Sequence, residues 1–252
     1  MYPYFLNVDE IIEEMRRITN YVLIVITSVA LVSCFGDDTE SQFEVLTDAY
    51  VLKKKSGDEE VYARAFYAYA NQLINSATAT EIGGAGEKIT LTQDPRSVYT
   101  YSKIPQVSDF NPYPPATSDY LFQVTSEGGI IKESQDFLSF DDIDIPDITK
   151  VEFAEIDKYL DVAWTEVDGA DGYLLKILNE EGTEIIDGYG FSTDILEYRL
   201  NILLENWFET PEQGKTYIVE VHAYVYEPQV EPGYEAYNVQ EVSVSDAEII
   251  WP

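Results

Sequence analysis

The sequence predicts an all-β protein with two tandem β-sandwich domains, and two observations lead to this fold class. Runs rich in β-branched and aromatic residues alternate with polar residues and end at Gly, Asn, Asp or Pro, as half-buried strands between turns do. The chain has 252 residues, whereas one domain has roughly 100–200. After an N-terminal export segment, the remaining length fits two domains of about one hundred residues each.

Residues 1–34 have the features of an export signal. The single cysteine of the chain, Cys34, follows three features of such a signal. They are the basic pair Arg16-Arg17, the twelve-residue apolar run at residues 21–32 and the small residue Ser33. A basic start, an apolar stretch of ~7–15 residues and a small residue before the cut are typical of secretory signals. A membrane-spanning helix needs roughly 20 apolar residues. A plain signal peptide, a short anchor or a buried segment are the alternatives.

The four residues Leu31-Val32-Ser33-Cys34 resemble the lipobox of bacterial lipoproteins, in which the cysteine is lipidated and becomes the first mature residue. The resemblance implies that Cys34 carries lipid, so that no thiol is left for a disulfide. Three glutamates within the first fourteen residues would place negative charge ahead of the basic pair. We therefore expect Met15 to be the true initiator.

An acidic tether, residues 35–41, follows the cysteine. Its sequence Phe35-Gly36-Asp37-Asp38-Thr39-Glu40 is similar to the tether of bacteroidete-type lipoproteins that reach the outer face of the outer membrane. The resemblance implies an outer-membrane protein anchored by lipid at the cell surface. A solvated tether without a sorting role is the alternative.

The charge of the chain limits its partners. There are 47 acidic and 15 basic Lys or Arg residues, for a net charge of −32. Nucleic acids and anionic membrane surfaces are themselves negative and would be repelled. We therefore expect no nucleic-acid partner and membrane contact through the lipid alone, which holds stably when two or more acyl chains are attached.

Residues 42–140 are predicted to form an immunoglobulin-like β-sandwich. Seven short strands in about one hundred residues favour this arrangement. The predicted strands are residues 42–53, 60–71, 76–80, 88–93, 97–102, 120–125 and 130–138. The glycine-rich stretch at residues 83–86 is predicted to be a hairpin turn, because no helix pattern follows it as a phosphate-binding loop would require.

Residues 141–147 are predicted to be a linker. They contain four carboxylates and a proline, and the apolar alternation starts again at Val151. The alternative is a calcium site, because calcium takes roughly 6–8 oxygen ligands; its candidate ligands are Asp141, Asp142, Asp144 and Asp147. The segment lacks the glycine and the distal glutamate of an EF-hand loop.

Residues 148–252 resemble a fibronectin type III domain in three segments, 160–164, 167–177 and 214–224. Val162 and Trp164 share one face of a predicted strand, and Tyr217 stands at the start of a late strand. A tryptophan between two sheets and a tyrosine at the corner before a late strand hold such sandwiches together. Residues 200–208 depart from the pattern and are predicted to be helical. The resemblance implies the fold and says little about function, because this module has many roles.

The sequence predicts no catalytic residues and no cofactor. His222 is the only histidine. It alternates with Val221 and Ala223 along its predicted strand, so its side chain is expected on the outward face. A Ser-His-Asp triad or a His/Cys zinc site is therefore not expected. With 47 acidic residues some carboxylate pair must lie close together, so such a pair is no evidence for glycoside hydrolysis. We predict that the protein is not an enzyme.

The aromatic content is the positive indication of function, with 20 Tyr and 3 Trp. Five candidate ligand-binding residues lie in a proline-rich loop and on an outward strand face; they are Phe110, Tyr113, His222, Tyr224 and Tyr226. Rigid aromatic side chains offer contact area to sugars or proteins at low entropic cost. The alternative is cross-strand packing of the strand tyrosines with Tyr237, and packing of the loop onto its own domain. Trp207 and Phe208 are expected to close the bottom of the second sandwich.

The sequence therefore predicts a lipid-anchored binding protein of the cell envelope. Its organisation is similar to that of the starch-utilisation surface binding proteins, which implies an accessory role in polysaccharide uptake. Two alternatives remain: a structural or adhesive lipoprotein that binds another envelope protein, and a small calcium-dependent hydrolase.

Overall fold

The computed structural model describes residues 42–154, 156, 158–228 and 238–252. The predicted signal, the tether and Tyr237 lie outside these residues. The described chain forms fourteen β-strands and one short 3₁₀ turn, with no α-helix, which confirms the predicted all-β class. Within it no helix is long and apolar enough to cross a membrane.

The first sandwich contains seven strands, each close to a predicted one. They are β1 (Val45–Ser56), β2 (Glu59–Ala70), β3 (Ile74–Glu81), β4 (Lys88–Asp94), β5 (Ser97–Lys103), β6 (Ser118–Ser126) and β7 (Ile131–Leu138). One layer is β1-β2-β5 and the other is β3-β6-β7. β4 belongs to both, because residues 88–91 pair with β3 and the following residues pair with β5. The glycine-rich stretch at 83–86 connects β3 to β4 as a hairpin, as predicted.

Aromatic rings fill the core between these two layers. The Phe66 ring on β2 meets Tyr120 edge-on at 4.9 Å between ring centroids and lies 6.3 Å from Phe122 on β6. All three side chains are buried. Tyr120 keeps its hydroxyl paired, because Arg64 donates to it at 2.6 Å. Alternation along β2 and β6 thus directs one face of each strand into a common core.

The second sandwich has two sheets. Its strands are β8 (Ile148–Ala154), β9 (Tyr159–Trp164), β10 (Gly172–Leu178), β11 (Tyr189–Phe191), β12 (Glu197–Asn201), β13 (Thr216–Tyr226) and β14 (Val239–Ile250). The sheet β12-β9-β8 faces β11-β10-β13-β14. Trp164 lies between them, 5.7 Å from the Tyr173 ring. The Tyr217 hydroxyl accepts the Glu212 N–H at 2.9 Å, which is the corner contact of such sandwiches. The fibronectin type III-like fold predicted for this half is confirmed.

The helix predicted for residues 200–208 is wrong. Leu200 is buried on β12, which pairs with β9. The chain then turns, because the Asn201 side chain accepts the Leu203 N–H at 3.2 Å, and an asparagine that binds the backbone two residues on favours a turn over a helix. Trp207 packs edge-on against Trp251 at 5.3 Å, as expected. Phe208 remains half exposed.

One sheet runs through both halves of the described chain. β14 pairs in parallel with β1, from Val51 opposite Glu241 to Lys54 opposite Val244. The result is an eleven-stranded sheet with the order β11-β10-β13-β14-β1-β2-β5-β4-β3-β6-β7. Two hydrophobic cores lie along it, one within residues 43–138 and one within residues 143–251.

A buried carboxylate holds the segment between β7 and β8 against this shared sheet. Glu241 is fully buried, and its Oε2 accepts the N–H groups of Asp141 at 3.0 Å, Asp142 at 2.7 Å and Ile143 at 3.4 Å. Asp142 has a φ of 59°, a left-handed conformation that aspartate tolerates better than most residues. Burial raises the pKa of Glu241, and the three N–H bonds oppose that effect.

Candidate functional site

The proline-rich loop between β5 and β6 is pinned at its base. Asp109 Oδ2 accepts the Gln106 N–H at 2.8 Å and contacts Lys103 Nζ at 3.3 Å. The bond from Gln106, followed by the one from Lys103, lowers the pKa of Asp109. Asn111 and Tyr62 then exchange two backbone bonds, of 2.9 and 2.8 Å. The loop is therefore attached to β2 and presents its tip in a fixed place.

Phe110 and Tyr113 lie differently on this loop. Phe110 is partly buried, and Lys54 Nζ lies 4.2 Å from its ring centroid, within the distance of a cation–π contact. Tyr113, between Pro112 and Pro114, is 80% exposed. Phe110 thus fastens the loop to β1, whereas Tyr113 offers its ring to solvent.

His222 is on the predicted face of β13, but it does not lie open to solvent. Its side chain is 12% exposed, and Nε2 is 2.8 Å from Glu220 Oε2. Burial lowers the pKa of His222, and the bond with Glu220 only partly opposes this. Burial would raise the pKa of Glu220, but His222 and nearby lysines lower it overall. A neutral, enclosed imidazole bound to one carboxylate is suited to holding the strand surface together and poorly placed to exchange protons with a ligand.

The two strand tyrosines are partly buried and pack together. The rings of Tyr224 and Tyr226 are 5.1 Å apart between centroids. Tyr224 lies across Gly172 on β10, where a Cβ would collide with the tyrosine hydroxyl. Gly172 is therefore required for Tyr224 to lie flat on the sheet. Tyr224 therefore packs against the neighbouring strand, as the alternative to ligand binding expected. Its ring has less exposed surface for a ligand than the Tyr113 ring has.

The strand face and the loop meet on one side of the shared sheet. Val244 on β14 pairs with His222 on one side and with Lys54 on the other, and Lys54 lies over Phe110. Sequence reasoning did not find Lys54, because its importance depends on the parallel pairing of β1 with β14. Such a pairing joins residues almost two hundred positions apart and leaves no local pattern.

Three of the four linker carboxylates bind different residues, and the Asp141 carboxylate accepts a hydrogen bond from Gln240 at 3.3 Å. The four carboxylates are those of Asp141, Asp142, Asp144 and Asp147. Asp142 binds buried Lys53 at 3.0 Å, and Asp147 binds Lys55 at 3.1 Å. Among the described residues there is no group of three or more His, Cys, Asp or Glu side chains arranged to hold a metal ion. The arrangement thus gives no support to the alternative of a calcium site in this segment.

Comparisons with known proteins give neither a family nor a function. No protein-family model and no curated protein matches the chain. A two-domain fibronectin type III segment of chicken tenascin is similar at 14% identity over 82% of this chain and 99% of that chain, with a TM-score of 0.27. A DUF3823 family protein from Bacteroides uniformis is similar at 8% identity over 83% and 100%, with a TM-score of 0.32. These scores are low, so the fold assignment rests on the strand pairing described above.

Proposed function

We propose that this protein is a lipid-anchored binding protein of the cell envelope that captures polysaccharide through the tip of the proline-rich loop. The observation that carries the proposal is Tyr113, a ring 80% exposed on a loop whose base is bonded to β2. A rigid scaffold that displays a few loop residues is a common way to build a binding site. An aromatic ring held in this way gives contact area at low entropic cost.

The charge of the chain favours a neutral glycan over an acidic one. The net charge of −32 repels polyanions at long range. Lys54 is close to the loop, but its ammonium is engaged with the Phe110 ring. A neutral polysaccharide has no charge to repel and offers ring faces to Tyr113.

Electrophoresis through gels that contain a panel of neutral and acidic polysaccharides tests the proposal. The wild-type protein should be retarded by at least one neutral polysaccharide, and Tyr113→Ala should migrate markedly faster in that gel. Tyr113→Phe keeps the ring and should behave like the wild type, whereas Tyr113→Leu keeps only apolar bulk and should not. A wild type that no polysaccharide retards would contradict the proposed function.

The alternative of a structural or adhesive lipoprotein is favoured by a different surface. Leu203 and Leu204 in the turn after β12 are 69% and 77% exposed. Contiguous exposed apolar surface marks contacts with other proteins, and two adjacent leucines would contribute to such a surface. Crosslinking in intact cells to one envelope protein, lost when both leucines are changed to serine, would support this alternative. Release of reducing ends from the polysaccharide panel in the presence of calcium would instead indicate the hydrolase alternative.

The anchor proposed at Cys34 has its own test, because it rests on the sequence alone. In the native host, the wild type should partition into the detergent phase of a Triton X-114 extract, and Cys34→Ser should move to the aqueous phase or remain as uncleaved precursor. Added protease should degrade the wild type on intact cells if the protein faces outward. Detergent partitioning that Cys34→Ser leaves unchanged would rule out lipidation at this residue.

A further inference from the structure

A second candidate binding site lies at the other end of β2 from the Tyr113 loop. A cleft of about 310 Å³ lies between the β2–β3 turn, the β6–β7 hairpin and one residue of β5. Its lining consists of residues 71–73, residues 126–128 and Tyr99; we call it the polar cleft. Its volume is at the lower end of the range for small-molecule sites, ~300–1,000 Å³, and is suited to a ligand of one or two rings.

Backbone hydrogen bonds hold the walls of the polar cleft in place. The Glu127 N–H donates to the Leu73 carbonyl at 2.9 Å, which joins the two turns directly. Asn71 is tied to Glu44 twice, through its backbone N–H at 3.2 Å and through its side-chain oxygen at 2.9 Å. Ser126 Oγ accepts the Ile130 N–H at 3.1 Å inside the hairpin. The cleft is therefore formed before any ligand arrives, which lowers the entropic cost of binding.

The side chains of the polar cleft combine apolar surface with hydrogen-bonding groups. Tyr99 is 42% exposed and Leu73 is 38% exposed. Gln72, which carries an amide, and Glu127, which carries a carboxylate, also line the cleft. A ring and an aliphatic surface beside an amide and a carboxylate match a ligand that has a flat apolar face and hydroxyl groups around its edge.

The charges of the lining exclude other ligand classes. Glu127 is the one ionisable acid among the lining residues, and none of them is Lys, Arg or His. Phosphate, sulfate or uronate groups would have no cation to bind and a carboxylate to repel them. The exposed apolar surface is limited to Tyr99 and Leu73, which is too little to hold an acyl chain. A neutral sugar satisfies both constraints.

We propose that the polar cleft is a second saccharide subsite that binds a neutral sugar residue between Tyr99, Gln72 and Glu127. This inference rests on the proposed polysaccharide-binding function and says where a second part of the polysaccharide would bind. Tyr62, which is bonded to the base of the Tyr113 loop, and Asn71 are nine residues apart on β2 and the turn after it. At ~3.3 Å per residue, the two subsites are about 30 Å apart. A polysaccharide chain is long enough to span this separation of about 30 Å, whereas a short oligosaccharide is not.

Calorimetric titration with a short neutral oligosaccharide, prepared from a polysaccharide that retards the wild type, tests the inference. The wild type should bind two molecules per chain, and Tyr99→Ala and Gln72→Ala should each bind one. Tyr99→Phe keeps the ring and should still bind two. Tyr113→Ala should also bind one, because it loses the other subsite. In gels of the polymer itself, loss of either subsite should weaken retention at least ~10-fold, since linked contacts multiply in strength.

The outcomes separate this inference from the proposed function. In one outcome the wild type binds one molecule only, with that binding lost in Tyr113→Ala and kept in both Tyr99→Ala and Gln72→Ala. This result would overturn the proposed subsite in the polar cleft and leave the proposed function intact. No binding of any glycan by the wild type would overturn both. Binding lost in the cleft variants and kept in Tyr113→Ala would support the cleft and move the function away from the loop. Melting curves of Tyr99→Ala and Gln72→Ala check folding, and Gln72→Ala decides the result if Tyr99→Ala is unfolded.

Discussion

Tyr217 shows how a single side chain can join two parts of the second sandwich. Its ring is buried beside Trp251, with 5.4 Å between centroids, while its hydroxyl accepts the Glu212 N–H at 2.9 Å. The ring fills the core and the hydroxyl fixes the loop that leads into β13. The two contributions differ in size, because a typical hydrogen bond adds about 1 kcal/mol and a buried aromatic ring about 3–5 kcal/mol.

Removing only the hydroxyl should therefore have a small and measurable effect. Tyr217→Phe is expected to lower the free energy of unfolding by about 1 kcal/mol, and Tyr217→Ala by about 3–5 kcal/mol. Urea denaturation measures both through the midpoint, with an unchanged slope if the unfolded state is unaffected. Tyr113→Phe is the matched control, because its hydroxyl is on an exposed ring and its loss should change stability by less than about 0.5 kcal/mol. Equal effects of Tyr217→Phe and Tyr113→Phe would contradict the role of the corner bond.

At the scale of elements, local patterns predicted the strands and missed the features that depend on distant pairing. The seven strands of the first sandwich were found from alternation and turn residues, because those patterns are local. The segment around Leu200 was predicted as a helix, because Leu200, Leu203 and Leu204 have the i, i+3, i+4 spacing of a helix face, yet pairing of β12 with β9 decides its structure. For the site, exposed Tyr113 was found because prolines mark its loop. The polar cleft was not found, because three separate segments form it and none has a distinctive sequence.

Three carboxylates influence one another near β1, β7 and the end of β13; they are Asp48, Asp136 and Glu227. Asp48 on β1 is buried, and its Oδ2 accepts the Val239 N–H at 3.0 Å. Asp136 on β7 accepts the Ala49 N–H at 2.6 Å. Burial raises the pKa of Asp48 well above its ordinary value, with Asp136 and Glu227 adding to the effect. Burial and the charge of Glu227 raise the pKa of Asp136 to about 6.

These raised pKa values make the folded protein more stable in mild acid. The folded state holds the protons more tightly than the unfolded chain, whose aspartates have a pKa of about 3.9. The extra stability is full at low pH and is lost as the pH rises through about 6, the range in which Asp136 ionises. By linkage, Asp136 should account for a fall of on the order of 2–3 kcal/mol in the free energy of unfolding between pH 4 and 7.

Asp136→Asn should flatten this pH dependence, because the amide oxygen can still accept the Ala49 N–H but does not ionise. Urea denaturation at pH steps between 4 and 8 measures the slope. Glu133→Gln is the matched control, since Glu133 is exposed on the same strand, and it should leave the slope unchanged. A slope that is the same in Asp136→Asn and the wild type would show that Asp136 is not the group responsible.

At the scale of the whole molecule, the continuous sheet and the buried network at β1 and β14 couple the two hydrophobic cores. Lys53 is 2% exposed and binds Asp142 at 3.0 Å, Glu60 at 3.1 Å and the Ile143 carbonyl at 3.0 Å. Glu241 lies on the neighbouring strand and binds the same segment through its N–H groups. The segment at residues 141–143 is thus bound to Lys53 from one half and to Glu241 from the other, and separating the cores would break one of these two sets of buried polar contacts, which is costly.

We therefore expect residues 43–252, which form one compact unit, to unfold in a single transition. At ~0.7 kcal/mol per residue, the calorimetric enthalpy should be about 150 kcal/mol near 60 °C. A van't Hoff enthalpy of the same size would indicate one cooperative unit, and about half that value would indicate two independent ones. Glu241→Ala removes the acceptor of three N–H groups and should lower the ratio of van't Hoff to calorimetric enthalpy. Glu248→Ala, at an exposed position of the same strand, should keep the ratio near one. Two resolved transitions in the wild type would contradict the coupling, because the cores would then melt without each other despite the shared sheet.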